Sequence, residues 1–217
     1  MLKLIIGNKK YSSWSMRPLV ALKHVGVPFE EQVIGLDRSD TADQIAKVNP
    51  AGRVPVLVDG ELTVWDSLAI CEYLAEKFPQ ARLWPEDARA RAQARSACAE
   101  MHSSFQSLRN DMLMRILPAP LPPAKISAAT PADIDRITAL WTELRGKYGK
   151  GGPYLFGHFT NADAFYAPVA IGRFRTYSVP LSGVAKEYVA ALAEAPAVKS
   201  WLDEAAKETL RVGRYEL

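Results

Sequence analysis

Two short apolar runs, VPVLV (54–58) and ELTVW (61–65), flank Asp59-Gly60. An Asp-Gly pair between β-type runs is the strongest short-range hairpin signal a sequence offers. It commits this part of the chain to an antiparallel pair, and the neighbouring segments must build around it. LKLII (2–6) reads as a buried strand, and PFEEQVIGL (28–36) as a second. Between them a helix begins near Trp14, continues through MRPLVALKHVG (16–26) and ends at Gly26, a C-cap residue. DTADQIAKVN (40–49) is a short helix stopped by Pro50. DSLAICEYLAEKF (66–78) is a helix whose buried face is Leu68, Ile70, Cys71, Leu74 and Phe78. The order βαβ-α-ββ-α predicts a small mixed sheet with helices packed on it.

Beyond Phe78 the texture changes. PQARLWPEDARAR (79–91) has little apolar periodicity and reads as a linker, and after it the strand signals largely stop. Helical patterns occupy 90–117, 131–149, 161–177, 183–195 and 196–210. LPAPLPPAK (117–125) interrupts them, because its four prolines forbid helix and favour an extended bend. The expected organisation is an α/β domain over 1–80, a linker over 81–89 and an all-helical domain over 90–217. A crevice between two such domains is a natural ligand site.

Composition narrows the function classes. With 48% hydrophobic and 24% charged residues in 217, the chain resembles an ordinary soluble protein. The net charge of +3 is small and its Lys and Arg are interspersed with acids, which argues against a nucleic-acid partner. No apolar run approaches the roughly 18 residues of a membrane span, and the N-terminus reads as a strand instead of a secretory signal. The expected location is the cytoplasm. The two cysteines, Cys71 and Cys98, lie in helical patterns with no CxxC and are expected to be free, reduced and packed.

Three motifs carry chemistry. In NPAGRVPVLVDG (49–60), Pro55 cannot donate to a sheet ladder, so it belongs at a strand's start or edge. It either simply starts the strand or, with a cis bond, turns the Val54 backbone outward toward a ligand. Asp66 and Ser67 begin the helix after the hairpin. They can act as caps for its free N–H groups, or Ser67 and the helix end can hold a carboxylate while Asp66 pairs with an adjacent ammonium. An α-amino acid end group carries both charges. In YSSWSMRP (11–18), one serine is a helix cap, which leaves another hydroxyl to donate to an anion at the same helix end.

With these motifs in order, the chain resembles a cytosolic glutathione transferase of the serine type. The matching features are SSWSMR after the first strand, NPAGRVPVL, DSLAICEYL, and TNADAFYAP (160–168), where Thr160 and Asp163 resemble a helix-capping box. The resemblance spans essentially the whole chain and implies a thioredoxin-like N-terminal domain followed by a helical one. It implies that glutathione, the co-substrate, lies along the sheet edge, with Val54 pairing its cysteinyl backbone before a cis Pro55. Asp66 and Ser67 would hold its γ-glutamyl end, and Arg53 would approach its other carboxylate. No metal is implied.

SSWSMR is similar to the zeta-class pattern, which makes Ser12 the first choice for the catalytic hydroxyl, Ser13 the second and Ser15 the third. Trp14 stands where the zeta pattern has Cys, which weighs against Cys-dependent and isomerase chemistry. Tyr11 is either a further candidate for the catalytic hydroxyl, since other classes use a tyrosine near this strand end, or, with Trp14, a wall of the pocket for a small hydrophobic electrophile, with Met101 and Phe105 opposite. Met112, Tyr166 and Arg173 are further candidates. His102 can face the cleft, while His24 and His158 read as surface or packing residues. The resemblance also implies a homodimer. Two other readings stay open: a non-catalytic binding or regulatory protein of the same fold, and a glutathione-dependent isomerase or dehalogenase.

Overall fold

The computed structural model of the chain describes residues 1–121 and 126–213. The N-terminal part contains β1 (Leu2–Ile6), α1 (Ser13–Val25), β2 (Phe29–Val33), α2 (Thr41–Ala46), β3 (Val56–Asp59), β4 (Leu62–Val64) and α3 (Ser67–Lys77). The strands form one sheet in the order β2-β1-β3-β4, with β1 parallel to β2 and antiparallel to β3. Alternation along β1 divides the core. Leu2, Leu4 and Ile6 join α1 and α3 on one face, whereas Ile5 joins Val56 and Ile45 of α2 on the other. A sheet covered on both faces explains why LKLII reads as a continuous apolar run. The hairpin sits one residue later than the Asp-Gly signal suggests. Asp59 pairs with Leu62, the turn is Gly60-Glu61, and Gly60 takes the left-handed φ of 61°. Gly26 likewise caps α1 at φ 78°.

The helical part contains α4 (Ala88–Ser103), α5 (Gln106–Asp111), α6 (Thr130–Tyr148), α7 (Asn161–Val169), α8 (Gly183–Glu194) and α9 (Pro196–Lys207). Two expected helices are revised. The pattern over 90–117 breaks at Phe105, whose φ of 65° turns its ring into the core, and no helix follows Asp111 before Leu117. Arg109 reinforces the break by donating to the carbonyls of Met101 and Ser104 at the end of α4. The pattern over 161–177 continues past Val169 as a wider π-helical segment, Ala170–Arg175. Residues 122–125 of the proline-rich stretch and 214–217 of the helical region lie outside the described residues.

Helix α1 joins the two parts. It packs on α3, α7 and α9, and Ser15 to Leu22 are all buried. A polar network adds to this junction. Lys9 and Lys23 both pair with Glu204 of α9, and Lys9 also pairs with Glu31. The Glu208 carboxylate accepts the backbone N–H of Lys9 (2.9 Å) and Lys10 (3.1 Å). Burial works against the Glu204 charge, but the two ammonium groups outweigh it and hold its pKa at about 2, below the ordinary 4.5. A depressed carboxyl pKa stabilises the fold above pH 4.5, and that stabilisation is lost as pH falls toward 2. Glu204→Gln is therefore expected to cost about 1 kcal/mol or less at neutral pH, since the group is largely solvent-screened. The gap from wild type should close during acid titration of denaturant unfolding; a gap that persists at the acid end would remove the network from this role.

Candidate active site

Two helix starts converge on one cleft between the sheet edge and the helical part. The cavity has a volume of about 820 Å³ and is lined by Ser12, Ser13, Val54, Asp66, Ser67 and His102, among others. A hollow of about 450 Å³ near Lys10 and α9 contains none of these groups.

At the first helix start, Ser12 is the N-cap of α1. Its Oγ accepts the Ser15 N–H at 3.3 Å and donates to Ser15 Oγ at 2.8 Å. Ser15 Oγ in turn accepts the Gly7 N–H at 3.0 Å. Ser15 is fully buried and does not line the cleft, whereas Ser12 and Ser13 do. Three serines thus divide the work at this junction: Ser15 ties the strand end to the helix, Ser12 caps the helix, and Ser13 adds a second hydroxyl to the cleft.

At the second helix start, Asp66 is the N-cap of α3 and its Oδ1 accepts the Leu68 N–H at 2.7 Å. Ser67 beside it is 1% exposed. Between the two helix starts runs Val54, joined to Pro55 by a cis bond. Its N–H and C=O bond to no described residue. Asn49 supports this loop by donating to the Arg53 carbonyl at 2.8 Å. Arg53 itself is exposed at the rim.

Arg17 lies beneath both helix starts, fully buried. Its guanidinium is sandwiched between Trp14 at 4.3 Å and Phe165 at 4.7 Å, and Nη1 donates to Ser67 Oγ at 3.5 Å. Burial, and then the charges of Arg109 and Arg173, push its pKa down to about 9. A cation so placed, with no carboxylate partner among the described residues, leaves the cleft floor electropositive. Apolar periodicity does not reveal this burial, because an Arg in a helix is usually solvated.

The helical wall differs from expectation. Met101 and Phe105 do not line the cleft; both pack in the core, Phe105 through its left-handed turn. Met112 and Tyr166 are also core residues, and the Tyr166 hydroxyl donates to the Ala97 carbonyl at 3.2 Å. The wall consists of His102, Gln106, Arg109, Leu113, Met114 and Arg173, facing Tyr11 and Trp14. His24 stacks on Phe159 at 4.6 Å, and His158 Nε2 lies 3.0 Å from the Arg82 carbonyl; neither lines the cleft. Cys71 and Cys98 are free and buried, and burial pushes both thiols up, out of the range of reactive thiolates.

A thioredoxin-like sheet domain, a helical domain and a cleft with hydroxyls at two helix starts define a two-domain fold of the glutathione-transferase kind. Residues 11–77 match the family model described as the glutathione S-transferase N-terminal domain. The chain is 32% identical over 192 residues to glutathione S-transferase Z2 of Arabidopsis thaliana, covering 83% of this chain and 84% of the relative. It is 36% identical over 106 residues to a probable maleylacetoacetate isomerase of Caenorhabditis elegans, 48% of each. Its fold is similar to that of a glutathione transferase homologue from Burkholderia gl BGR1 solved with bound glutathione, with a TM-score of 0.70 and 23% identity, covering 94% of this chain and 97% of that one. The chain belongs to the glutathione S-transferase family, and its N-terminal motif is zeta-like.

Proposed function

We propose that the protein is a glutathione transferase that ionises the thiol of bound glutathione and directs it at a small electrophile. The observation that carries this reading is the convergence of two hydroxyl-bearing helix starts on one cleft, with the open Val54 backbone between them. The starts of α1 and α3 offer two anion positions. Glutathione is a peptide with a thiol in its middle and an amino acid group at one end. Val54 suits its backbone, Ser67 with the α3 start its γ-glutamyl carboxylate, Asp66 its ammonium, and Arg53 its remaining carboxylate.

The thiolate belongs at Ser12. A free thiol with a pKa near 8.5 is only a few per cent ionised at neutral pH. Lowering that by about two units needs roughly 2.7 kcal/mol of preference for the thiolate. A hydrogen bond to a charged acceptor supplies about 1.5–3 kcal/mol and a helix start about 0.3–1. Ser12 turns its proton from Ser15 to the sulfur, and Ser15 then donates to Ser12 while still accepting from Gly7. The result is a chain of donors ending at the charge, each polarised by the one behind it. The thiol proton leaves to solvent, the sulfur forms its bond to the electrophilic carbon, the leaving group departs with its electron pair, and the cleft supplies proximity.

Isothermal titration should show glutathione binding with a Kd of about 1 mM or tighter, and a crystal of the complex should place sulfur within about 3.5 Å of Ser12 Oγ. Ser67→Ala should weaken glutathione binding about tenfold. An empty cleft at saturating glutathione overturns the reading in favour of a non-catalytic protein of this fold. The same reading includes a homodimer located in the cytoplasm; a monomeric mass by light scattering would remove the first.

One observation refines the electrophile. Arg109 and Arg173 line the helical wall, and Asp66 is the one carboxylate among the described cleft residues. Such a wall favours an electrophile carrying a carboxylate, as an acidic isomerase substrate does. An aryl halide bearing a ring carboxylate should therefore react faster than its neutral counterpart, and Arg109→Met should erase a preference of about tenfold. Equal rates with both substrates in the wild type would return the reading to neutral electrophiles.

A further inference from the structure

His102 stands at the last turn of α4 and reaches across the cleft from the helical domain to the N-cap of α3. Its Nε2 lies 3.5 Å from Asp66 Oδ2. Its ring meets Trp14 edge-on at 5.1 Å and lies tilted to Phe165 at 6.5 Å. Its Nδ1 is buried with no partner among the described residues. Asp66 is thus the ring's one polar contact there, while Asp66 also accepts the Leu68 N–H through its other oxygen.

We propose that His102 is a further residue of the γ-glutamyl subsite, which shares the Asp66 carboxylate with the ammonium of the bound peptide and yields it when that ammonium arrives. This rests on the reading that Asp66 receives the ammonium. The charges facing the imidazole come from three elements: Asp66 from α3, Arg17 from α1 and Arg109 from α5. The rings of Trp14 and Phe165 pack beside it, and the rest of the side chain opens to the cleft. At the imidazole, one carboxylate therefore stands against two guanidinium groups, and it is the carboxylate that the imidazolium pairs with. A ligand ammonium adds another cation to the same carboxylate. The incoming carboxylate does not offset this at His102, because it is taken up at Ser67 above Arg17. The arrangement favours loss of the imidazolium proton to solvent as the ligand binds. Burial already works in that direction and, with Arg17 and Arg109, lowers the ring's pKa below 6.5 although Asp66 pulls it up. A proton released on binding means that affinity falls as pH falls.

The test is calorimetric titration with S-methylglutathione, which has no thiol proton to confuse the count, in pairs of buffers with different ionisation enthalpies. Near pH 6, about where histidine titrates, wild-type protein should release a fraction of a proton on binding; near pH 8, also within about that range, it should release essentially none. Affinity should be about twofold weaker at the acid end. His102→Gln, and His102→Phe as a second variant that keeps a ring against Trp14, should abolish both the proton release and the pH dependence. The desamino analogue, which lacks the ammonium, should bind wild type without releasing a proton. Equal proton release from the variants, or from the desamino analogue, overturns the inference while leaving the glutathione reading intact. Failure of S-methylglutathione to bind wild type near pH 8, about the upper end of that range, overturns both.

Discussion

Ser12→Ala is expected to slow conjugation by about 10- to 100-fold while changing glutathione affinity much less. The variant loses one hydrogen bond to a charged acceptor, about 1.5–3 kcal/mol, and each 1.36 kcal/mol is about a tenfold change in rate. The same loss should raise the pKa of the bound thiol by about one to two units, which a pH–rate profile or the ultraviolet absorbance of the thiolate reads directly. Ser12 is also a helix cap, so Ala at this position costs about 1 kcal/mol of stability, whereas Gly costs only about a few tenths. Ser12→Gly therefore separates the two roles: it should be nearly as stable as wild type and as slow as the Ala variant. Ser13→Ala should have the smaller effect, because Ser13 does not stand in the relay from Gly7 through Ser15. A full-rate Ser12→Ala beside a slow Ser13→Ala would transfer the thiol donor to Ser13.

Asp163→Ala should be the most damaging single change to the fold. Asp163 is buried at the start of α7, where its carboxylate accepts four hydrogen bonds. Oδ2 takes the Thr160 N–H at 2.8 Å and the Thr160 hydroxyl at 3.0 Å. Oδ1 takes the Tyr188 hydroxyl at 2.9 Å and the Leu155 N–H at 3.2 Å. Removing the acceptor strands several buried donors at once, at a cost of about 3–5 kcal/mol. For a chain of this size that is a fall in Tm of about 10 °C. Chemical denaturation would measure it, and a loss below about 1 kcal/mol would show that the network has other acceptors in reach. The pH dependence has a definite sign. Burial raises the Asp163 pKa from 3.8 to about 6 although its four donors oppose the shift. A raised pKa means the protonated group suits the fold better, so its contribution is greatest below pH 3.8 and is lost as pH rises through about 6. The advantage of wild type over Asp163→Ala should shrink across that window.

Much of the fold was legible because its signals are local. The apolar run LKLII, the glycine after KHV, the Asp-Gly turn and the Thr160–Asp163 box each act within a few residues, and each placed its element to within a residue or two. The break in the pattern over 90–117 is hidden in the sequence because the apolar spacing stays regular across Phe105. Nothing within a few residues announces that this ring turns inward at φ 65°; the core that receives it comes from other helices. The cleft shows the same division. The hydroxyls at the heads of α1 and α3 and the Val54-Pro55 step could be named from the chain alone, because caps and strand starts have fixed chemistry.

The residue types at the two helix starts and the family to which the motifs point could be read along the chain alone. Only the tertiary structure decided that Arg17 is a buried cation between two rings, that Ser15 backs Ser12, that Met101 and Phe105 leave the wall to Arg109 and Arg173, and that His102 reaches Asp66. The physical reason is range. Backbone preference and capping are settled by neighbours along the chain, but burial and pairing depend on which surfaces meet when distant segments pack. His102 and Asp66 belong to different domains, and no periodicity in either helix encodes their meeting.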